Sequence, residues 1–340
     1  IGVPAATAEL GGSADVDATG NVTTRALIDA DNEALGDSDT VSTLTGIGAA
    51  AALNVAVPSA TAQVVGAASG AGILVETAMT GDGENTSLAD AVSGAGTDAV
   101  GIAGAMAINV DRATSTALVD SAADLSLDAG GDLSISASQQ TSATADASGL
   151  AGLADGTLGV GISVAINVAV PTTRAELEGA TVAGAGGLNI SAIGDNQAQS
   201  NAQSGATETD DQQATATLDA AVALNAAFSS TIARASSGAT TLNVGGDVVV
   251  HADHTGNTAT HAIGRTQADD GGFGASVALG FARDESLAEL GRDLTIGGDL
   301  NIFADSVTQA TTDAIASRSG AVLGSLLVDV ETTRNFNLLL

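Results

Sequence analysis

The side chains able to do chemistry are few in kind. The chain has no cysteine, lysine, tryptophan or tyrosine, and its nine basic residues are all arginine against 40 acids and three histidines. The densest group of possible metal ligands is Asp29, Asp31, Glu33, Asp37 and Asp39. Carboxylates crowded into a turn suit calcium, a hard cation held by carboxylate and carbonyl oxygens. Similar acids recur at Asp82 and Glu84, at Glu208, Asp210 and Asp211, and at Asp269 and Asp270. They read either as calcium ligands or as solvated loop tips, and their spacing matches neither an EF-hand loop nor the GGxGxD nonapeptide. His251, His254 and His261 fall within eleven residues, yet on a strand His251 and His254 point to opposite faces, which disfavours a shared metal. There is no nucleophile elbow, no Gly-rich turn opening a helix and no Walker lysine, so the chain reads as non-enzymatic.

One polar residue recurs in phase. Asn54, Asn109, Asn167 and Asn225 each sit in an apolar run reading ALN or AIN. If each run is one rung of a stack, the amides lie about 4.8 Å apart and can bond along it as a ladder.

The elements that must hold these residues are strands. In residues 159–192, Val160, Ile162, Val164, Ile166, Val168 and Val170 alternate with Gly161, Ser163, Ala165, Asn167 and Ala169, a period of two with one branched face and one small face. Neither face carries a charge, so both are expected to be covered. The core is expected to be a stripe of Val55, Ile108, Ile166, Leu224 and Leu279, with the Ala/Gly face close against another sheet.

A second anchor is a Gly-led strand ending at Ala26, Ala78, Ala137, Ala192, Ala252 and Ala304. With the Asn runs, and their degenerate copies near Gly280 and Leu327, it divides the chain into about six units of about 55 residues, roughly 1–54, 55–109, 110–167, 168–225, 226–280 and 281–340. Residues 1–340 then form one continuous array, an all-β, elongated, β-solenoid-like stack, with antiparallel hairpin layers as the alternative arrangement. Pro4, Pro58 and Pro171 share one phase of the repeat, which marks a corner. Only five residues are aromatic, which fits regular layers better than an irregular core.

The net charge of −31 repels nucleic acid and anionic membrane. The apolar runs are too short and Gly-rich for a spanning helix, and a membrane barrel would want aromatic girdles. Ile1 and Leu340 both fall inside units, so the sequence reads as part of a longer chain or of a filament whose copies join.

Units built as AVAINV, a TTRAELEG-like segment and GATVxAGGDLxISA resemble the repeat regions of very large bacterial surface and secreted adhesins, filamentous-haemagglutinin-like or autotransporter-like. The resemblance implies an extracellular or cell-surface β-solenoid with a structural or adhesive role and with copies of itself or adjoining repeats as partners. The alternative is a calcium-dependent module recognising carbohydrate, ice or mineral surfaces.

Overall fold

The computed structural model describes residues 1–79, 84–97, 99–153, 158–208, 216–238, 240–268, 271–320 and 324–339. Of the acids expected in turns, Asp82, Asp210, Asp211, Asp269 and Asp270 lie outside the described residues. No helix occurs among the described residues, and every strand pairing is parallel. The chain is therefore a parallel β-solenoid-like stack, and the antiparallel hairpin alternative is set aside.

Each coil runs out along one sheet and back along the other. The first holds β1 (Ala5–Leu10), β2 (Asp15–Asp17), β3 (Asn21–Ile28) and β4 (Asp31–Ser42), and the second holds β5 (Thr45–Ala56), β6 (Ser59–Val64), β7 (Ala67–Gly70), β8 (Gly72–Met79) and β9 (Asn85–Thr97). Later coils fuse these pieces: β10 (Val100–Asp111), β11 (Thr114–Val119) and β12 (Asp124–Leu153), then β13 (Leu158–Ala169), β14 (Thr172–Leu177) and β15 (Thr181–Glu208). The fifth coil is β16 (Ala216–Ala235), β17 (Leu242–Val244) and β18 (Val248–Ala268), and the sixth is β19 (Gly271–Leu290), β20 (Leu294–Ile296) and β21 (Leu300–Gly320). The backbone of β22 (Gly324–Leu339) then stacks on β19. The outward sheet contains the β5, β10, β13 column followed by the β1, β6, β11, β14 column, both continued by β16, β19 and β22, and the return sheet contains the rest.

The corner between the two outward columns is where the prolines sit. Pro4, Pro58 and Pro171 occupy the position that Ala113 holds in the third coil, and the carbonyls of all four accept a hydrogen bond from the next coil, as in Ser59 N to Pro4 O at 3.0 Å and Thr114 N to Pro58 O at 2.9 Å. A proline keeps this acceptor and lacks only the N–H, so the column tolerates it.

The two ends of the coil are packed differently. Where β6, β11 and β14 face the returning strands, Leu133 and Ile135 of GGDLSISA, with Val64, Val75, Val119, Leu177 and Ile190, make a branched core at 0 % exposure. Where β5, β10 and β13 face β4, β9 and the long halves of β12 and β15, the shared layer is almost wholly alanine: Ala89, Ala91, Ala107, Ala145, Ala165 and Ala223. Two-residue connections such as 43–44 turn the chain straight into the facing sheet, which requires the sheets to be close. A Cβ on Gly48 or Gly149 would collide with the carbonyl oxygen of Gly94 or Ile162. So thin a layer is filled mainly by Gly, Ala, Ser, Thr and Asn, and larger inward residues such as His254 and Asp284 need glycines beside them.

This corrects the expected core stripe. Ile108, Ile166, Leu224, Leu279 and Val55 point outward and are half-buried, while their neighbours Asn109, Asn167 and Asn225 are fully buried. The branched face is left uncovered because the small face is the one that lets the sheets meet. Register supplies two further corrections. Thr77, at 0 % exposure, pairs with Ala26 and Ala137 where Ala78 was expected, and Gly280 is followed by Glu331 rather than Leu327.

Candidate functional site

The five acids expected to hold calcium lie at the start of the stack on one outer face. Asp31, Glu33, Asp37 and Asp39 are alternate, exposed positions of strand β4, and exposed Asp29 precedes it in the same phase. The stretch is thus a strand and not a turn. Alternate residues of a strand are about 6.6–7 Å apart and diverge along a line, so they cannot converge on one ion as a loop can. Among the described residues, no group of three or more His, Asp or Glu is placed to hold a metal.

The asparagines form a continuous chain of side-chain hydrogen bonds. Asn54 Nδ2 donates to Asn109 Oδ1 at 3.0 Å, Asn109 Nδ2 to Asn167 Oδ1 at 2.9 Å, and Asn167 Nδ2 to Asn225 Oδ1 at 3.1 Å. Each Nδ2 also donates across the thin layer to the facing sheet, at Asn32 O, Ser87 O, Ala143 O and Ala198 O respectively. The column therefore ties coil to coil and sheet to sheet through the same amide. In the sixth coil Gly280 stands in register, and Thr312 approaches the space a side chain would need. These amides are 0–2 % exposed, so the column is an internal clamp, closed to any ligand.

The histidines separate as the strand period requires. His251 and His261 face outward beside Asp305 at 3.9 Å and Asp313 at 3.2 Å, and His251 also packs on Phe303 with ring centroids 4.2 Å apart. His254 turns inward and is fully buried. Its Nδ1 lies 3.0 Å from Thr231 Oγ1 and its Nε2 lies 3.2 Å from Asp284 Oδ1, while Thr308 Oγ1 donates to Asp284 Oδ2 at 2.6 Å. Burial pushes the Asp284 pKa up, but contacts from His254, Thr308 and Ser229 outweigh it and leave the carboxyl below its ordinary value. Gly194 and Gly256 make room for the pair, since a Cβ on either would press on Thr231 or on Asp284.

A hydroxyl, an imidazole and a carboxylate in line could in principle activate a nucleophile. Here Thr231 and His254 are at 0 % exposure and Asp284 at 2 %, so no substrate reaches them and the group acts as a buried polar strut. Sequence reasoning missed it because Asp284 lies 30 positions from His254, across the layer and in the following coil. The one available signal was an acid at an inward phase of the repeat.

On the outer face of the return sheet, Asp90, Asp146, Asn201, His261 and Asp313 form one cross-strand row. Asn201 Nδ2 donates to Asp146 Oδ1 at 2.6 Å. Burial, helped by the neighbouring Asp90 charge and opposed by the Asn201 bond, raises the Asp146 pKa. This is a polar, solvated row, and its residue types alternate too irregularly to build one repeated subsite.

Comparison with protein-family models, with curated proteins and with solved structures returned no match. No relative lends a role to any of these residues, so function must be argued from the chain's own faces.

Proposed function

We propose that the chain is non-enzymatic structural material of a bacterial exterior, a repeat segment that builds a stack and adheres through its broad faces, with adjoining repeats or further copies as its partners. One observation carries the reading: the sequence repeat becomes a residue-for-residue parallel register through successive coils, with the polar chemistry turned inward as clamps and struts. A fold that spends its buried asparagines, its buried histidine and Asp284 on holding coils together supports a mechanical role over a catalytic one. The surfaces it presents repeat in register from coil to coil, which suits adhesion by many weak contacts.

The reading is tested by displaying the chain on a bacterium that does not otherwise adhere. Retention on glass and plastic under flow should rise, and should survive a calcium chelator. No gain in retention sinks the proposal. A gain abolished by the chelator would favour the calcium-dependent binding module instead.

A further inference from the structure

Among the described residues, the outer face of the β5, β10, β13 column has no partner sheet, since the column packs only through its inner face. Its outward positions in residues 45–55, 100–110, 158–168, 216–226 and 273–281 include no charged residue and a single hydroxyl, Thr45. Ile47, Leu53, Met106, Ile162, Leu218 and Phe273 are 41–61 % exposed there. The charges that make up the net −31 lie off this face, and on the return sheet exposed apolar residues such as Ile193, Phe303 and Val307 stand beside polar partners, Asp253, His251 and Thr255. Isolated exposed apolar residues need no explanation, but a contiguous patch of this size does.

We propose that this face pairs with the same face of a second copy of the chain. Three observations select that occupant. The first is area: strands of 12 residues are about 40 Å long and five coils span about 24 Å, giving about 1,000 Å² per copy, against the about 800 Å² that a stable interface buries on each partner. The second is self-complementarity: in register from coil to coil the outward positions are apolar, as in the row Ile47, Ile102, Val160, Leu218 and Phe273, so the same patch on two copies can meet about a two-fold axis. The third is charge. The −31 keeps copies apart through their other surfaces and repels an anionic membrane, whereas two of these faces meet with no like charges opposed. The pairing does not rest on the adhesive reading, because a chain that fails to retain cells can still dimerise.

Sedimentation of the purified chain at micromolar concentration should show a species of twice the 32.5 kDa chain mass, with association tightening as salt screens the net charge. Ile162→Glu, placed mid-face, should weaken it by about tenfold or more, while Gln197→Glu on the opposite, polar face should not. Since the chain has no cysteine, Ile162→Cys and Gln197→Cys provide a second reading on folded protein: under mild oxidation the first should cross-link copies and the second should remain single. A monomer at every salt concentration overturns the proposal, as does equal cross-linking through Gln197→Cys. Flotation of a monomeric chain with phosphatidylcholine vesicles also overturns it, and assigns the face to lipid.

Discussion

At the scale of single residues, Asn167 is the informative one. It accepts from Asn109, donates to Asn225 and donates to Ala143 O, all in a fully buried layer. Asn167→Ala orphans groups on both neighbouring coils and on the facing sheet, and should lower unfolding stability by about 2–3 kcal/mol in chemical denaturation. The same change at exposed Asn257 should be close to neutral. Asp111 makes the opposite case. It is 2 % exposed, one carboxylate oxygen lacks a hydrogen-bond partner, and burial raises its pKa to about 7, opposed only by a bond from the Arg112 backbone. An acid whose folded pKa lies above its unfolded value binds more protons when folded, so its contribution is intact below about pH 4 and is eroded as pH rises to about 7. Asp111→Asn should therefore raise the melting temperature at pH 8, by an amount worth at most about 4 kcal/mol, and change little at pH 4. An equal gain at both pH values would contradict this assignment. The Asn column was legible because its amides recur in phase. The Thr231, His254 and Asp284 cluster was not, because contacts across the layer depend on how far each coil has advanced before it returns.

At the scale of the element, alternation reveals that a strand has two faces and leaves open which of them is inside. Burying the branched face is the ordinary expectation, and it fails here because two-residue connections such as 43–44 bring the sheets so close that the layer between them is built mainly of small residues, Ala above all. The Gly-led strand is misread by one position at Ala78 because a one-residue slip exchanges the faces: Thr77 is the inward residue, in register with Ala26 and Ala137 and with its hydroxyl bonded to Ser115 Oγ at 2.7 Å. Two neighbouring substitutions in β13 test the assignment together. Ala165→Leu should overpack the layer and destabilise by about 1–3 kcal/mol, whereas Val164→Thr on the outer face should cost no more than about 0.5 kcal/mol. Reversed sensitivities would restore the branched core expected from sequence.

At the scale of the whole molecule, a net charge of −31 on 340 residues is self-repulsion that salt should relieve. The melting temperature should rise between about 20 mM and about 500 mM sodium chloride as the screening length shrinks. Because the acids of β4 are strung along a line, calcium should stabilise no more than magnesium at equal ionic strength. A calcium-specific rise in thermal scans would show that those carboxylates do gather on an ion. The number of units and their parallel stacking have a further consequence. About 55 residues of sequence raise the stack by a single strand spacing of about 4.8 Å, some 0.09 Å per residue against about 1.5 Å for an α-helix. As a spacer, the fold would be wasteful. What each repeat adds instead is breadth, since the 20 residues of β16 alone extend about 65 Å. Lengthening such a chain by duplication enlarges its two sides far faster than it extends its reach, and each side can change in composition without disturbing the alanine layer between them.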